Sequence, residues 1–584
     1  MTMHRRLLPI LFLLAGLAPT ASAQIVRGGT VPPASPQDSL SPYDLGRRAQ
    51  RDFELFRRLH LPFQSTGRSP SQCDERVGRF CYWYDERAAA APPEPAEITA
   101  KRAVLIALLD SLARVAPEER WLVAQRVRYL TEADRRADAL NAATECKVGG
   151  WYCDIMTGFA LHMLGRYKAA DSVYEVGIAK MLVRDRCVWR DLGYLIDDDT
   201  RQAYRRLPCA SKERIAYEDH VWFLAKVLYS MEGNDSRTEW YARMTFVEMM
   251  RDAAGVYQFG FDDDERELLL RFGWPRAWSR GRGDPRTGEF NTVGHEPSPA
   301  YRFIPPGYVL NNPTISDSTD WAVQLPPVVG RYSPPYAKTL KPLVHQKAMF
   351  RRGDSALVVM AYDARNMPEL DSTAITAALV VSPATGTHAF RTVRTKAPRT
   401  DVITAKAPWA PLIMSAEVWS PDRAAVRRAR YGMAPPFAVG TRVTVSDLLF
   451  YEPYGDFPTT VEEVAPHALT TEKVRAGEKL GVYWEAYGTE PAGEPMKVSL
   501  TVVREVEESG FLRRQAKTLR VVREATPVSI TVQDMSARGS TTSPRALQLD
   551  ISTLSKGAYV VQLEIEVAGQ YVVRADHRIE IIGR

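Results

Sequence analysis

Along this chain the spacing of apolar residues changes once. Between residues 96 and 256 they recur every three or four positions, the period that lets a helix bury one face; from 341 onward they fall in short runs, several alternating with polar residues, as strands do. In the first region Val104, Leu105, Leu108, Leu109 and Leu112 predict a helix that stops before Pro117, followed by helices over Trp121 to Leu130 and Asp134 to Thr144. Ala216 to Met250 reads as a helix pair, with Phe223, Leu224, Val227, Leu228 and Met231 in register. A shorter amphipathic piece, Tyr43 to Leu59, lies in a Pro-rich extension covering 24–95.

Strands are expected over Ala356 to Ala361, Ala374 to Val381, Val443 to Tyr451, Leu480 to Tyr487, Val498 to Arg504, Thr518 to Val522 and Val528 to Val532. The clearest comes last, where Tyr559, Val561, Leu563, Ile565 and Val567 alternate with residues such as Gln562 and Glu564. Period two implies one buried face and one largely wet face, as in an antiparallel β-sandwich. The expectation is a multidomain α plus β chain: a helical array at 96–256, then two Ig-like sandwiches at 341–455 and 456–584. The two regions meet over 257–340, where Trp274, Trp278, Phe290, Tyr301 and Phe303 stand among prolines that forbid a continuous helix. That composition predicts an ordered, irregular hinge packed between the halves.

Within the helical region, Trp151 to Lys180 resembles a tetratricopeptide repeat, a helix-turn-helix unit of about 34 residues. Gly158 stands where the first helix needs a small residue, Leu164-Gly165-Arg166-Tyr167 makes the turn, and Ala170 and Tyr174 fall where the second helix crosses. The resemblance implies stacked helix pairs and a groove, lined by each first helix, that binds a partner. The matching positions are Tyr152, Ile155, Phe159, His162 and Met163, a set suited to a hydrophobic peptide or a neighbouring segment of the chain. Internal packing is the competing use of Phe159 and Met163. A second resemblance rests on Leu549 to Tyr559, Val445 to Leu449, and Gly273-Trp274, which look like the β region of exported bacterial proteins with a GWxTD domain. Those proteins join helical repeats to such a region and have no assigned activity; here Pro275-Arg276-Ala277 replace the continuation of the namesake motif.

The first residues predict export. His4-Arg5-Arg6, the apolar run Leu7 to Leu17 and Ala21-Ser22-Ala23 form a signal peptide over 1–23, with the mature chain starting at Gln24. That run is shorter than the roughly 20 residues that cross a bilayer, so no transmembrane segment is expected in the mature chain, which would be periplasmic or secreted. In an oxidising compartment the six cysteines read as disulfides between near neighbours: Cys73 with Cys81, Cys146 with Cys153, and Cys187 with Cys209. A metal site would need a CxxC pair or a histidine at ligand spacing, and neither is present.

Charge and motifs narrow the function further. The 76 basic and 70 acidic residues leave +6 spread over the whole length, which argues against a nucleic-acid partner. Arg135-Arg136 and Arg427-Arg428 read as solvated faces or ion-pair partners. No HExxH, GxSxG, P-loop or dinucleotide fingerprint occurs. Asp197-Asp198-Asp199 and Asp262 to Glu265 lack the pattern of a calcium loop and read as helix-end or surface charge. No catalytic residue, cofactor or metal is therefore assigned. The expectation is a non-catalytic exported binding or scaffold protein whose groove recognises another envelope or secreted protein. The alternative is an enzyme or glycan-binding protein with a hinge site, Trp274 and Trp278 forming an aromatic floor and His295 supplying an acid/base group.

Overall fold

The computed structural model describes residues 40–64, 74–82, 90–257, 259–281, 290–322, 329–371, 373–386, 388–435, 443–488, 495–505, 528–535, 541–567 and 572–583. The signal peptide expected at 1–23 and the strand expected at Thr518 to Val522 lie outside these. Among the described residues, eleven helices of eight residues or more run from Pro42–His60 to Asp263–Phe272, and sheets dominate from Thr339 onward. The chain is thus α plus β and multidomain.

Several helix starts follow the cap rule. Ser41, Asp197, Ser211, Asn234 and Asp262 each accept a backbone N–H with the side chain, satisfying donors the helix leaves free. The two acidic clusters are therefore helix-end charge. The helices Gly150–Met163 and Tyr167–Lys180 form the pair expected there, and a Cβ at Gly158 would lie 2.9 Å from the Tyr174 ring. The helix Ala96–Val115 buries part of the predicted stripe: Leu105 and Leu109 are inside together with Ile98 and Ile106, while Val104 and Leu108 are exposed. It is apolar over most of its circumference, so spacing alone could not choose between faces.

The sheets form four layers behind the helices. The first has Thr376–Pro383, Leu412–Ser420 and Ala425–Met433 in sequence, with Phe390–Thr395 and Thr339–Pro342 at its edges. The second holds Thr400–Pro408, Ser355–Asp363 and Val344–Arg352; the third is centred on Lys479–Tyr487, which pairs with Thr444–Val445, Leu449–Tyr451 and Thr542–Asp550. The outermost runs Lys473–Arg475, Val573–Ile582, Gly557–Val567, Pro495–Arg504, Val528–Met535. Since Thr444–Val445 and Leu449–Tyr451 belong to the third sheet, the expected boundary at 455/456 cuts through a sheet, and the change of unit falls between Met433 and Thr444.

Each layer seals the next. Leu340, Ala378, Val380 and Val426 join the helical core, while Leu379, Val381 and Met414 on the opposite face of the same sheet meet Val358 and Met360 of the second. Phe350 and Val359 then pack on Leu449 and Tyr483, and Val482 and Trp484 on Leu500 and Leu563. Strands in the middle are consequently buried on both faces, as Ser355–Asp363 and Lys479–Tyr487 show, whereas Gly557–Val567 in the outermost sheet keeps the alternation.

One loop welds the helices to the first sheet. Val227 to Met231, expected in helical register, lies instead beyond the end of the helix Lys212–Ala225. Glu417, fully buried, accepts the Tyr229 and Ser230 amides at 2.7 and 3.0 Å, and Arg430 donates to the carbonyls of Leu224, Lys226 and Val227. Arg430 also lies 3.5 Å from the Tyr229 ring centre. Tertiary hydrogen bonds here override local helix propensity. Arg428 donates to the Val227 and Trp321 carbonyls rather than standing in solvent, whereas Arg427 pairs with Glu369.

Candidate binding cleft

The first turns of the helix Pro42–His60 lie on Trp121. Tyr43 meets that indole edge-on with ring centres 5.8 Å apart, and a Cβ at Gly46 would sit 3.0 Å from it and 2.7 Å from a Leu122 methyl, so a side chain there would push the helix away. Trp121 begins the helix Arg120–Glu132, whose cap Glu119 accepts the Trp121 amide at 3.4 Å. Opposite stands the end of the helix Asp235–Met249 and the turn beyond it. Between these elements opens a cleft of about 530 Å³, walled by Tyr43, Trp121 and Tyr152. Its rim carries Glu118, Glu119, Arg120, Glu248, Arg251 and Asp252.

Four carboxylates against two guanidiniums leave this rim with two excess negative charges, on a chain whose net charge is +6. Both cations are already engaged: Arg251 pairs with Glu248 at 2.8 Å, and Arg120 lies over the Trp151 and Tyr152 rings at 5.8 and 5.2 Å. Glu118 and Asp252 are exposed, and among the described residues neither is ion-paired. Burial pushes the Glu248 carboxyl and the Tyr152 phenol up, while the Tyr152 hydroxyl donates to the Arg120 carbonyl at 2.9 Å. Trp121 is 7% exposed and its indole N–H is buried without an acceptor. The lining contains no histidine or cysteine, and the Ser41 hydroxyl is held by Asp44 at 2.6 Å. The arrangement can hold a ligand; it lacks a paired nucleophile and base.

The groove expected at Tyr152, Ile155, Phe159, His162 and Met163 is a closed seam. All five are buried, Ile155 and Phe159 completely. The helix Asp235–Met249 folds into the position a partner would take: His162 bonds Thr238 and Glu239, each at 2.9 Å, and Phe159 lies 5.7 Å from Trp274. Only Tyr152 reaches the open cleft.

The alternative hinge site is closed as well. Trp274 stacks on Phe246 at 5.1 Å, Trp278 covers the buried Arg57 guanidinium at 4.9 Å, and His295 bonds Ser279 at 2.8 Å with burial pushing its imidazole down. The cavity beside the tryptophans measures about 30 Å³, space for roughly one water, and His295 does not line it. Both tryptophan rings are spent on packing against the helical region.

Two of the expected disulfides are formed, Cys146–Cys153 and Cys187–Cys209, with Cα separations of 5.6 and 5.9 Å. Cys81 is also disulfide-bonded, and its expected partner Cys73 lies outside the described residues. Among the described residues no helix is long and apolar enough to cross a membrane, and no three metal-capable side chains gather.

No protein-family model matches the chain, and no curated protein matches it. Among solved structures it is similar to red sea bream transglutaminase, at 10% identity over 41% of this chain and 31% of that one, with a TM-score of 0.13. It is also similar to a Bacteroides uniformis β-glucuronidase, at 6% identity over 39% of this chain and 26% of that one, with a TM-score of 0.16. The chain thus spans less than a third of either protein, and such overlaps carry no activity across.

Reading the sequence missed Tyr43, Glu118, Trp121, Glu248 and Asp252. The run Pro117-Glu118-Glu119-Arg120-Trp121, three charges against an indole at a helix start, was the available local signal. Glu248 and Asp252 reach the same rim only through the fold.

Proposed function

We propose that the protein is an exported, non-catalytic binding or scaffold protein that recognises another envelope or secreted protein through the cleft at Tyr43, Trp121 and Tyr152. In this reading the helical layer is a tetratricopeptide-like array, and the sheets are Ig-like units, similar to the GWxTD-type β region, that serve as a spacer or second contact surface. The observation that carries it is the cleft itself: ligand-sized, acidic at the rim, and backed by a buried indole N–H without an acceptor. The formed disulfides support an exported setting. The test is a photo-crosslinking residue placed at Glu118 and, as control, at the exposed Lys406 on a distant strand, in the exporting cell. A discrete adduct from position 118 alone supports the reading; identical adducts from both positions, or none, contradict it.

A further inference from the structure

Only certain ligands complement what this cleft leaves open. Its rim keeps two negative charges unmatched, with Glu118 and Asp252 outside any ion pair among the described residues, so an anionic ligand meets repulsion on entry. The two arginines offer an anion little, because Arg251 is held by Glu248 and Arg120 lies on the Trp151 and Tyr152 rings. A sugar would want an exposed ring face to stack on, whereas Trp121 is 7% exposed and meets Tyr43 at 83°, edge to face. Trp121 contributes a different group, a buried donor that waits for an acceptor. A ligand that brings a cation and, a few ångströms away, a carbonyl oxygen satisfies both demands. A peptide bearing lysine or arginine is that ligand.

We propose that the cleft takes a basic segment of a partner protein: a Lys or Arg side chain enters between Glu118, Glu248 and Asp252, and a neighbouring main-chain carbonyl accepts the Trp121 indole N–H. This rests on the binding reading above and adds the sign and chemistry of the partner.

Isothermal titration of the mature protein with acetyl-Gly-Arg-Gly-Arg-Gly-amide and with acetyl-Gly-Glu-Gly-Glu-Gly-amide tests this. The expected result is at least tenfold tighter binding of the basic peptide. Affinity falls about tenfold in Glu118→Gln/Asp252→Asn, whose side chains are exposed, and in Trp121→Phe, which keeps an aromatic ring but loses the donor. Equal or tighter binding of the acidic peptide overturns the proposal, as does basic-peptide binding that neither variant weakens. If neither peptide binds while the crosslink from position 118 persists, the basic-segment proposal falls and the binding reading stands; if the crosslink is absent too, both fall.

Discussion

The two ends of the helix Arg120–Glu132 put the same residue types to opposite uses. At its far end Arg128 and Glu132 meet Arg57 and Glu54, with Arg57 to Glu132 at 2.6 Å and Arg128 to Glu132 and Glu54 at 2.9 and 3.2 Å, and the Trp278 ring lies over Arg57. At its near end Glu118, Glu119, Glu248 and Asp252 outnumber Arg120 and Arg251, and the cleft stays open. Inside the protein an unmatched charge costs several kcal/mol, a large part of a domain's whole stability, so the sealed end must balance its ions. Unmatched charge is tolerated only where water reaches it. The sealed end is therefore architecture, and the open end is where the chain has charge to spare for something else.

The largest expected effect breaks the sealed end. Arg57→Ala removes one of the guanidiniums that balance the buried Glu54 and Glu132 carboxylates, leaving Arg128 to serve both, and is expected to lower stability by about 3–5 kcal/mol, read from denaturant unfolding. Next comes Glu265, which lines the small hinge cavity and whose carboxyl burial pushes up to about 7. Its raised value favours the protonated folded state: the folded protein keeps that advantage below pH ~4.3, the unfolded value, and loses it as pH rises through about 7. Glu265→Gln is thus expected to gain on the order of 3 kcal/mol at pH 8.5 and almost nothing at pH 4, measured as unfolding midpoints across pH. Trp278→Phe, which thins the lid over Arg57, should cost about 1–2 kcal/mol. Smallest of all, Glu118→Gln and Asp252→Asn at the open rim should each stay within about 0.5 kcal/mol of wild type.

How far the sequence spoke depended on whether a contact was local. Caps such as Asp197 and Asp262, the turn at Gly165 and the small residue at Gly158 act within a few positions and were readable. The outer strand Gly557–Val567 was readable because its two faces meet different surroundings. The strands Leu412–Ser420 and Ala425–Met433 went unseen: both faces are buried, so alternation vanishes, and the interior of one holds Glu417 while the other holds Arg430. Those two side chains make sense only against the loop at Val227 to Ser230, which reads as helix until the sheet is in place. The cleft was hidden for the same reason. Trp121 and Asp252 belong together only once helix Asp235–Met249 has closed the groove at Phe159 and delivered its own end to the rim.

The most direct measurement follows binding and stability together in one variant, Glu118→Gln/Asp252→Asn. Removing both rim charges should leave the melting temperature of the protein unchanged and abolish the partner adduct formed from a crosslinker placed at Tyr43. A drop of several degrees with the adduct intact would make the open end architecture like the sealed one, and would contradict the account.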